Sequence, residues 1–165
     1  KEGKFGFDKE MIGAAMYAIP SMPSTAKKYN PDNPERCREL RRLCCLDEAP
    51  TNTESYFIAQ TLKWLRKNTD VQTVVSFADL HQGHEGTIYK ASNFIYLGQT
   101  GKGQVLMVDG KEYHVRSMNQ PIKPYSREIK RRYNVGDPDI YYKDRKPKNI
   151  YVYYLSKKVK KKMTK

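Results

Sequence analysis

Residues 53–68 read TESYFIAQTLKWLRKN and are followed, after a two-residue break, by VQTVVSFA at residues 71–78. Apolar residues in the first segment recur at helical spacing, with an acid in the first turn and two bases in the last. The second segment is rich in β-branched residues, as buried strands are. With the predicted strand Glu39–Leu46 before them, they predict a strand–helix–strand unit whose two strands are parallel.

Shorter elements are predicted on both sides of this unit. Upstream we expect a strand at Met11–Ile19, a hairpin partner for it around Lys4–Phe7, and a proline-rich connecting loop at 20–35, with one turn of helix near Ala26 as the alternative within it. Downstream we expect a turn at Asp79–Glu85, a short helix from Gly86 to Ser92, a strand at Asn93–Leu97, a hairpin of Gln104–Val108 with Glu112–Arg116 about Asp109-Gly110, a helix Ser126–Arg132 with Ser126 as its N-cap, a strand at Ile150–Leu155 and a charged tail Lys157–Lys165. The predicted fold class is α+β (mixed α/β), one domain over residues 1–165 with a central, mostly antiparallel sheet.

The length and the cysteines narrow the class of protein. A chain of 165 residues suffices for one ordinary domain but not for two. No stretch approaches the roughly 18 apolar residues of a membrane span, and no signal peptide is visible, so we expect a soluble cytoplasmic protein. Cys37, Cys44 and Cys45 are odd in number and form no CxxC pair, which favours free thiols over disulfides or a zinc site.

The positive charge is concentrated in the last third of the chain. Residues 1–109 hold 14 Lys/Arg against 13 Asp/Glu, and residues 110–165 hold 17 against 5. A field of one sign attracts polyanions, and this basic segment lacks the long amphipathic helix with an apolar face that would favour a membrane surface instead. We therefore expect a nucleic acid, contacted through segment 117–165. The candidate phosphate contacts are Arg127, Lys130, Arg131 and Arg132, and the candidate stacking residues are Tyr133, Tyr141, Tyr142, Tyr151, Tyr153 and Tyr154, each with core packing as its alternative.

The loop that enters the long helix is a candidate anion site. A helix N-terminus offers unpaired backbone N–H groups and partial positive charge, which suit a phosphate or pyrophosphate. Thr51, Asn52, Thr53 and Ser55 could add side-chain donors, and the alternative is that Asn52 or Thr53 merely caps the helix. The loop has no glycine-rich phosphate-binding pattern, which disfavours a kinase or an NTPase.

Residues 77–89 hold most of the groups that could perform acid–base chemistry. They include Asp79, His81, His84, Glu85 and Tyr89. Asp79, His81 and His84 could together ligate a divalent cation, but two histidines in one loop are weak support for a metal site. The alternative is a polar turn whose histidines cap the following helix.

The segment from Gly86 to Gly98 resembles the GNAT acyltransferase superfamily. The family pattern is a small residue, Leu-Tyr, three residues and Gly-Phe; here Tyr89 is followed by three residues and Asn93-Phe94. The resemblance implies a sheet splayed at a cofactor cleft, acetyl-CoA or a related acyl-CoA (coenzyme A) as cofactor, and Tyr89 as the general acid for the leaving thiolate. The pyrophosphate would lie at the loop before the long helix, where this chain lacks the family's Q/R-x-x-G-x-G/A pattern.

A narrower resemblance runs from residue 39 to residue 98. It rests on Glu39-Leu40-x-Arg42-Leu43, on Asn52-x-x-Ser55-x-Phe57-Ile58, and on Val75-Ser76-Phe77-Ala78-Asp79-x-x-Gln82-Gly83-His84-x-Gly86-x-Ile88-Tyr89-Lys90-Ala91-x-Asn93-Phe94. This set is similar to the Mom-type proteins of bacteriophages, which are GNAT-like enzymes. They alter the N6 amino group of adenine in DNA with a methylcarbamoyl-type group and so protect phage DNA from restriction.

The resemblance implies a role for individual residues. Asp79 would orient or deprotonate the attacking amine, Tyr89 would be the general acid, and His84 is a weaker catalytic candidate. Arg42 would bind donor phosphate or substrate, and Ser55 would bind the cofactor. The plainer alternatives are that Asp79 is a turn residue and Tyr89 a half-buried aromatic. Arg42 would likewise be a surface cation, and Ser55 a polar residue of the first helical turn.

We therefore expect a transferase that modifies DNA adenine, working in the host bacterial cytoplasm. The lone pair of the adenine amine is delocalised into the ring, so the amine is a weak nucleophile. Positioning of the reactants and activation of the electrophile must therefore provide much of the lowering of the reaction barrier. The paired N6 group also requires base flipping or an opened strand. The alternatives are a GNAT enzyme that acylates a protein or a small amine, and a non-catalytic nucleic-acid-binding module on a GNAT frame.

Overall fold

The computed structural model describes residues 11–120 and 123–164, which form two compact units. The first unit comprises residues 11–78, 84–98 and 149–164, and the second comprises residues 79–83 and 99–148. The elements in chain order are β1 (Gly13–Ala18), α1 (Pro23–Tyr29), β2 (Cys37–Cys45), α2 (Thr53–Asn68), β3 (Thr73–Asp79), α3 (Thr87–Ala91), β4 (Ile95–Gln99), β5 (Gly103–Val108), β6 (Lys111–Tyr113), α4 (Pro124–Asn134), β7 (Ile140–Arg145), β8 (Lys148–Tyr154) and α5 (Lys157–Met163). Three short 3-10 helices lie at Pro34–Arg36, Leu80–Gln82 and Val115–Asn119.

A five-stranded sheet in the order β1-β2-β3-β8-β4 forms the framework of the first unit. β2 is antiparallel to β1 and parallel to β3, which confirms the predicted strand–helix–strand unit. Successive strand residues point to opposite faces of a sheet, and both faces of this sheet are covered. Val74 packs in one cluster with Ile58, Leu62 and Leu65 of α2. Val75 packs in the other with residues of α1 and α5.

The parallel strands β2 and β3 pair over only part of their length. Cys37, Arg38 and Glu39 pair with Thr73, Val74 and Val75, and no later residue of β2 pairs with β3. Just past the last pair, the Ser76 hydroxyl donates a 3.1 Å hydrogen bond to the Leu40 carbonyl oxygen. The two strands therefore part in the middle of the sheet.

The second unit is built on a three-stranded antiparallel sheet in the order β6-β5-β7. The predicted hairpin about Asp109-Gly110 is confirmed, and both turn residues have positive φ angles of 50° and 75°, as a tight two-residue turn requires. The core of this unit consists of Leu106, Val108, Met118, Ile129 and Ile140.

Several elements differ from the sequence-based expectations. β7 was not expected, and α5 occupies the predicted charged tail. In the predicted loop 20–35, the alternative of a helical turn near Ala26 holds, and the helix there is the seven-residue α1. The predicted second hairpin strand ends at Tyr113, where the chain turns toward a 3-10 helix.

The predicted N-cap of α4 is wrong. The cap is Lys123, and Ser126 is buried in the first turn, where its hydroxyl oxygen accepts a hydrogen bond from the Gln120 N–H. The hairpin partner expected around Lys4–Phe7 lies outside the described residues. Among the helices of residues 11–120 and 123–164, none is both long enough and apolar enough to cross a lipid bilayer.

Candidate functional site

Tyr89 lies at the place where β2 and β3 part. Its ring is half-buried and packs against the rings of Phe94 and Tyr151, with centroid separations of 5.6 and 5.3 Å. Burial raises the pKa of the Tyr89 phenol above its ordinary value, and a hydrogen bond with the Ser76 side chain partly offsets that rise. Ser76 also makes a hydrogen bond across the parting strands, so the phenol lies beside the opening. Because its pKa is raised, the phenol stays protonated at neutral pH.

The position of α3, which carries Tyr89, is fixed by its N-terminal neighbours. Gly86 has a φ angle of 89°, and a Cβ built there would lie 2.2 Å from Cε2 of the buried Tyr151 ring. The Tyr151 hydroxyl donates a 2.7 Å hydrogen bond to the Glu85 carbonyl oxygen, and the Asn149 side-chain amide donates one of 3.1 Å to the same oxygen. Backbone and ring therefore meet in contact that only glycine permits.

Asn93 ends the α3 turn in the left-handed region, with a φ angle of 61°. Asparagine is among the few residues other than glycine that adopt this conformation readily. The Asn in place of the family's usual Gly is therefore compatible with the local backbone. The neighbouring Ser92 hydroxyl donates to the Ile88 carbonyl oxygen at 2.8 Å, which further fixes the end of α3.

The loop before α2 presents backbone donors but few side-chain donors. Asn52 occupies the N-cap position with a φ angle of 69°, and its side chain makes no capping hydrogen bond. The hydroxyls of Thr53 and Ser55 donate to the carbonyl oxygens of Pro50 and Asn52. The side-chain capping alternative is therefore not what the structure shows. Within the described part of the chain, the backbone N–H groups of Glu54 and Ser55 have no acceptor.

Asp79 ends β3 and belongs to the second unit, whereas Tyr89 belongs to the first. The Asp79 carboxylate is largely buried and forms an ion pair with Arg145 and a second, at 3.5 Å, with Lys148. Its other oxygen accepts a 3.1 Å hydrogen bond from the His81 N–H. Sequence reasoning missed both cationic partners, because each lies more than 60 residues away along the chain.

The two histidines of the 77–89 segment have different surroundings. His81 contacts Glu112 through Nε2 at 2.8 Å, and His84 is exposed. Asp79 and His81 are thus already engaged by protein partners. Over residues 11–120 and 123–164, no group of three or more His, Cys, Asp and Glu side chains is arranged to hold a metal ion.

Arg42 is exposed on β2, opposite Met16 of β1. A second phenol, Tyr17 of β1, was missed by the sequence analysis. Its hydroxyl lies 2.6 Å from the Thr61 hydroxyl oxygen of α2, and burial raises its pKa, with a smaller contribution from Tyr89. Alternation within the apolar strand 11–19 was the only sequence signal that could have singled it out.

The basic residues of α4 divide into engaged and free side chains. Arg132 donates to both carboxylate oxygens of Asp109, at 2.9 and 2.6 Å, and to Asp137 at 2.7 Å. These hydrogen bonds lower the pKa values of both carboxyl groups. Arg131 pairs with Glu128 at 2.7 Å. Arg127 and Lys130 are exposed and form no ion pair with any described residue.

The candidate stacking tyrosines divide in the same way. Tyr151 and Tyr154 are buried in the two cores of the first unit, and Tyr153 packs against one of them. For these three the core-packing alternative holds. Tyr133, Tyr141 and Tyr142 of the second unit are exposed.

The fold and site thus describe a mixed α+β protein with a protonated phenol at the parting of two parallel strands and a separate, basic and tyrosine-rich unit. The profile of the Mom protein family matches residues 3–165. The chain belongs to the Mom protein family. It is 31% identical over 113 residues to the methylcarbamoylase mom of Escherichia phage Mu, an alignment that covers 67% of this chain and 46% of that protein. The match thus spans about half the length of the phage Mu protein.

Proposed function

We propose that this chain is a DNA-modifying transferase that alters the N6 amino group of adenine with a methylcarbamoyl-type group, through a GNAT-like active site. The observation that carries the proposal is its membership in the Mom family, together with 31% identity to a phage protein named a methylcarbamoylase. On this proposal the protein is an anti-restriction enzyme of phage origin that acts in the host bacterial cytoplasm.

The parting of β2 and β3 supports the proposed active site. An acyl transferase must bring a donor carbonyl and an acceptor amine together away from bulk water. A gap between parallel strands exposes backbone groups at the centre of a sheet, and Tyr89 stands beside it. Because burial raises the pKa of this phenol, it retains its proton at neutral pH and can donate it to a leaving thiolate.

The proposed cofactor is acetyl-CoA or a related acyl-CoA, and the start of α2 fits its charge. The N–H groups of Glu54 and Ser55, at the N-terminus of a 16-residue helix, suit an anionic pyrophosphate. The hydroxyls of Thr53 and Ser55 are spent on carbonyl oxygens, so backbone amides rather than these side chains would provide the donors. When bound, such a cofactor supplies an activated carbonyl and a thiolate leaving group.

We assign Asp79 an orienting role. Its carboxylate already pairs with Arg145 and Lys148, and two adjacent cations favour the charged form over proton uptake. A fixed carboxylate oxygen can still accept a hydrogen bond from an exocyclic amine and hold it in line for attack. Arg42 and His84 are exposed and remain candidates for substrate contact.

DNA is the proposed substrate, and the described charges support it. Arg127 and Lys130 project from α4 without ion-pair partners in the described residues, and the α5 segment adds four lysines besides Lys162, which pairs with Asp32 at 2.6 Å. Such cations bind phosphates by releasing condensed counterions, independent of sequence.

Nucleoside mass analysis tests the proposal. Plasmid DNA from bacteria expressing the protein is digested to nucleosides, and we expect an additional adenosine-derived species whose mass identifies the transferred group. Asp79→Ala and Tyr89→Phe should abolish it, whereas Tyr96→Phe, which alters an exposed tyrosine of the unit that holds Tyr89, should not. Unmodified DNA from cells that contain the folded wild-type protein would contradict the proposal.

The cofactor is tested separately by thermal stabilisation with acetyl-CoA or free CoA. We expect a rise in Tm for the wild-type protein. Replacing residue 54 by proline would remove one proposed amide donor while proline is tolerated in a first helical turn, so Glu54→Pro should reduce the shift. No shift for the wild-type protein with either compound would contradict the cofactor assignment while leaving the DNA assignment standing.

A further inference from the structure

A recess of about 380 Å³ opens in the second unit beside the 3-10 helix Val115–Asn119. Among the described residues, it is lined by Val115, Arg116, Asn119, Gln120 and Tyr142. Its described lining combines one cation, two carboxamides and one aromatic ring, and the proposed function assigns no role to any of these side chains. Its volume lies within the range of roughly 300–1,000 Å³ that is usual for small-ligand sites.

The aromatic wall of the recess is held in place by its neighbours. Tyr142 lies on β7 opposite Leu106 and is 37% exposed. The Tyr133 ring of α4 packs edge-on against it, with 5.8 Å between ring centroids and an interplanar angle of 78°. A ring braced at its edge keeps a face for stacking without losing much side-chain entropy on binding.

The amide wall is positioned in a similar way. The Gln120 N–H donates a 2.9 Å hydrogen bond to the Ser126 hydroxyl oxygen, and its side-chain oxygen accepts one of 3.2 Å from the Tyr125 hydroxyl. No residue of ranges 11–120 and 123–164 accepts a hydrogen bond from the side-chain NH₂ group of Gln120, so this group can donate to a ligand. Carboxamides of Asn and Gln match the donor and acceptor pattern of base edges, adenine above all.

The charge of the unit leaves Arg116 available. Ion pairs already engage most of its acidic residues, namely Asp79, Asp109, Glu112, Glu128 and Asp137. Arg116 is exposed and has no ion-pair partner among residues 11–120 and 123–164. An unneutralised guanidinium beside an aromatic face and a carboxamide matches the phosphate, base face and base edge of one nucleotide.

We propose that this recess binds one nucleotide of single-stranded DNA, with the base stacked on Tyr142, its edge at the carboxamides of Asn119 and Gln120, and a backbone phosphate at Arg116. A base can stack on a protein ring only when it is unpaired, which is why the partner is a single strand. The inference deepens the proposed function: it adds a subsite that holds an opened strand.

Binding of a fluorescent oligodeoxyadenylate of about 12 nucleotides to the whole protein tests the proposal. Loss of one stacked base should make Tyr142→Ala weaken binding by roughly tenfold, whereas Tyr142→Phe, which keeps the ring, should not weaken it. Tyr141→Ala is the matched control, since Tyr141 is the next residue on β7, is 49% exposed and does not line the recess. Equal affinity of Tyr142→Ala and Tyr141→Ala would overturn the proposal.

Arg116→Ala gives a second readout that does not depend on a buried contact. The substitution should reduce the magnitude of the negative slope of log K against log salt by about 0.7 for the single strand, which is the contribution of one phosphate. An unchanged slope contradicts the phosphate assignment even if Tyr142→Ala proves to be unfolded by circular dichroism. The same oligonucleotide annealed to its complement should show no dependence on Tyr142; an equal loss there would overturn the single-strand assignment.

Failure of this inference and failure of the proposed function are separable. The binding measurement needs no donor, and nucleoside mass analysis needs no variant of the recess. If adenine is modified in cells but oligonucleotide binding does not depend on Tyr142, only the assignment of the recess as a nucleotide subsite is contradicted. If oligonucleotide binding depends on Tyr142 but DNA from expressing cells is unmodified, only the transferase assignment is contradicted.

Discussion

The backbone of Gly86 is packed so closely against the ring of Tyr151 that no side chain fits at residue 86. A Cβ at residue 86 would lie 2.2 Å from Cε2 and 2.6 Å from Cζ of the Tyr151 ring. Tyr151 cannot move away easily, because it is fully buried and its hydroxyl donates to the Glu85 carbonyl oxygen at 2.7 Å. This contact sets where α3 starts and therefore where Tyr89 stands.

Gly86→Ala should destabilise the protein strongly. The substitution adds a clash with a buried ring to the strain of a positive φ angle, and together we expect a loss of about 2–4 kcal/mol in the free energy of unfolding. Gly83→Ala is the control, because Gly83 has a φ angle of 76° but nothing within 4 Å of its Cβ position. Urea denaturation should show a loss of only about 1 kcal/mol for the control. Equal losses for the two variants would mean that the Tyr151 contact contributes nothing.

The elements that could be predicted from sequence carry strong local signals. α2 was evident from apolar positions at helical spacing, β3 from its β-branched run, and the β5–β6 hairpin from Asp109-Gly110. Each depends on interactions between residues close in the chain. The parallel pairing of β2 and β3 followed from the helix between them.

The elements that were missed lack such signals. β7 buries only Ile140 along its length, so it shows no alternation of apolar and polar residues and is held by pairing with β5. α5 contains five lysines in seven residues, and its buried residue is Val159. Tertiary packing rather than local propensity decides such segments.

The sequence was sufficient to identify the residues of the candidate site but not their hydrogen-bond and ion-pair partners. Tyr89 could be located from its spacing to Asn93-Phe94, but its bridge through Ser76 to Leu40 depends on how two strands part. Likewise, Arg132 was indistinguishable from Arg127 in sequence. Asp109, which binds Arg132, lies 23 residues away in a turn whose direction the pattern did not show.

Replacement of Tyr89 by phenylalanine should alter how stability depends on alkaline pH. Burial raises the folded-state pKa of this phenol above its ordinary value of 10.0, so the unfolded chain ionises first as the pH rises. The stabilising contribution is fully present below pH 10.0 and is lost above it. The difference in unfolding free energy between wild type and Tyr89→Phe should therefore be constant from pH 7 to 9 and fall beyond pH 10. A difference that rises with pH would contradict the sign of the pKa shift.

The three thiols should differ widely in reactivity. Cys37 is fully buried on β2, and burial raises its pKa from 9.0 to about 11, whereas Cys44 is exposed. At pH 8 roughly one Cys37 side chain in a thousand would be a thiolate, and burial denies the reagent access to it. We expect an aromatic disulfide reagent to label Cys44 rapidly and Cys37 only after unfolding in urea. Cys44→Ser should remove the rapid phase, and rapid labelling that persists in a Cys44→Ser/Cys45→Ser variant would place Cys37 at the surface.

The arginines of α4 should contribute unequally to binding duplex DNA. Arg127 is exposed and has no ion-pair partner in the part of the chain that the structure describes. Arg132, in contrast, donates three hydrogen bonds to Asp109 and Asp137 and would have to break them to reach a phosphate. Each phosphate contact adds about 0.9 to the slope of log K against log salt for duplex DNA. Arg127→Ala should therefore reduce the slope by about 0.9, measured by fluorescence anisotropy at several salt concentrations, and Lys130→Ala should do the same.

Arg132→Ala should leave that slope almost unchanged and instead remove a cation that stabilises two carboxylates. Because Arg132 lowers the folded-state pKa values of Asp109 and Asp137, its contribution to stability is present above the ordinary carboxyl pKa of 3.8 and is lost as the pH falls below it. The wild-type advantage over Arg132→Ala should accordingly shrink in acid, while that over Arg127→Ala stays flat. A slope reduction for Arg132→Ala equal to that for Arg127→Ala would show that DNA displaces both aspartates, and α4 would then present its whole basic face to the phosphates.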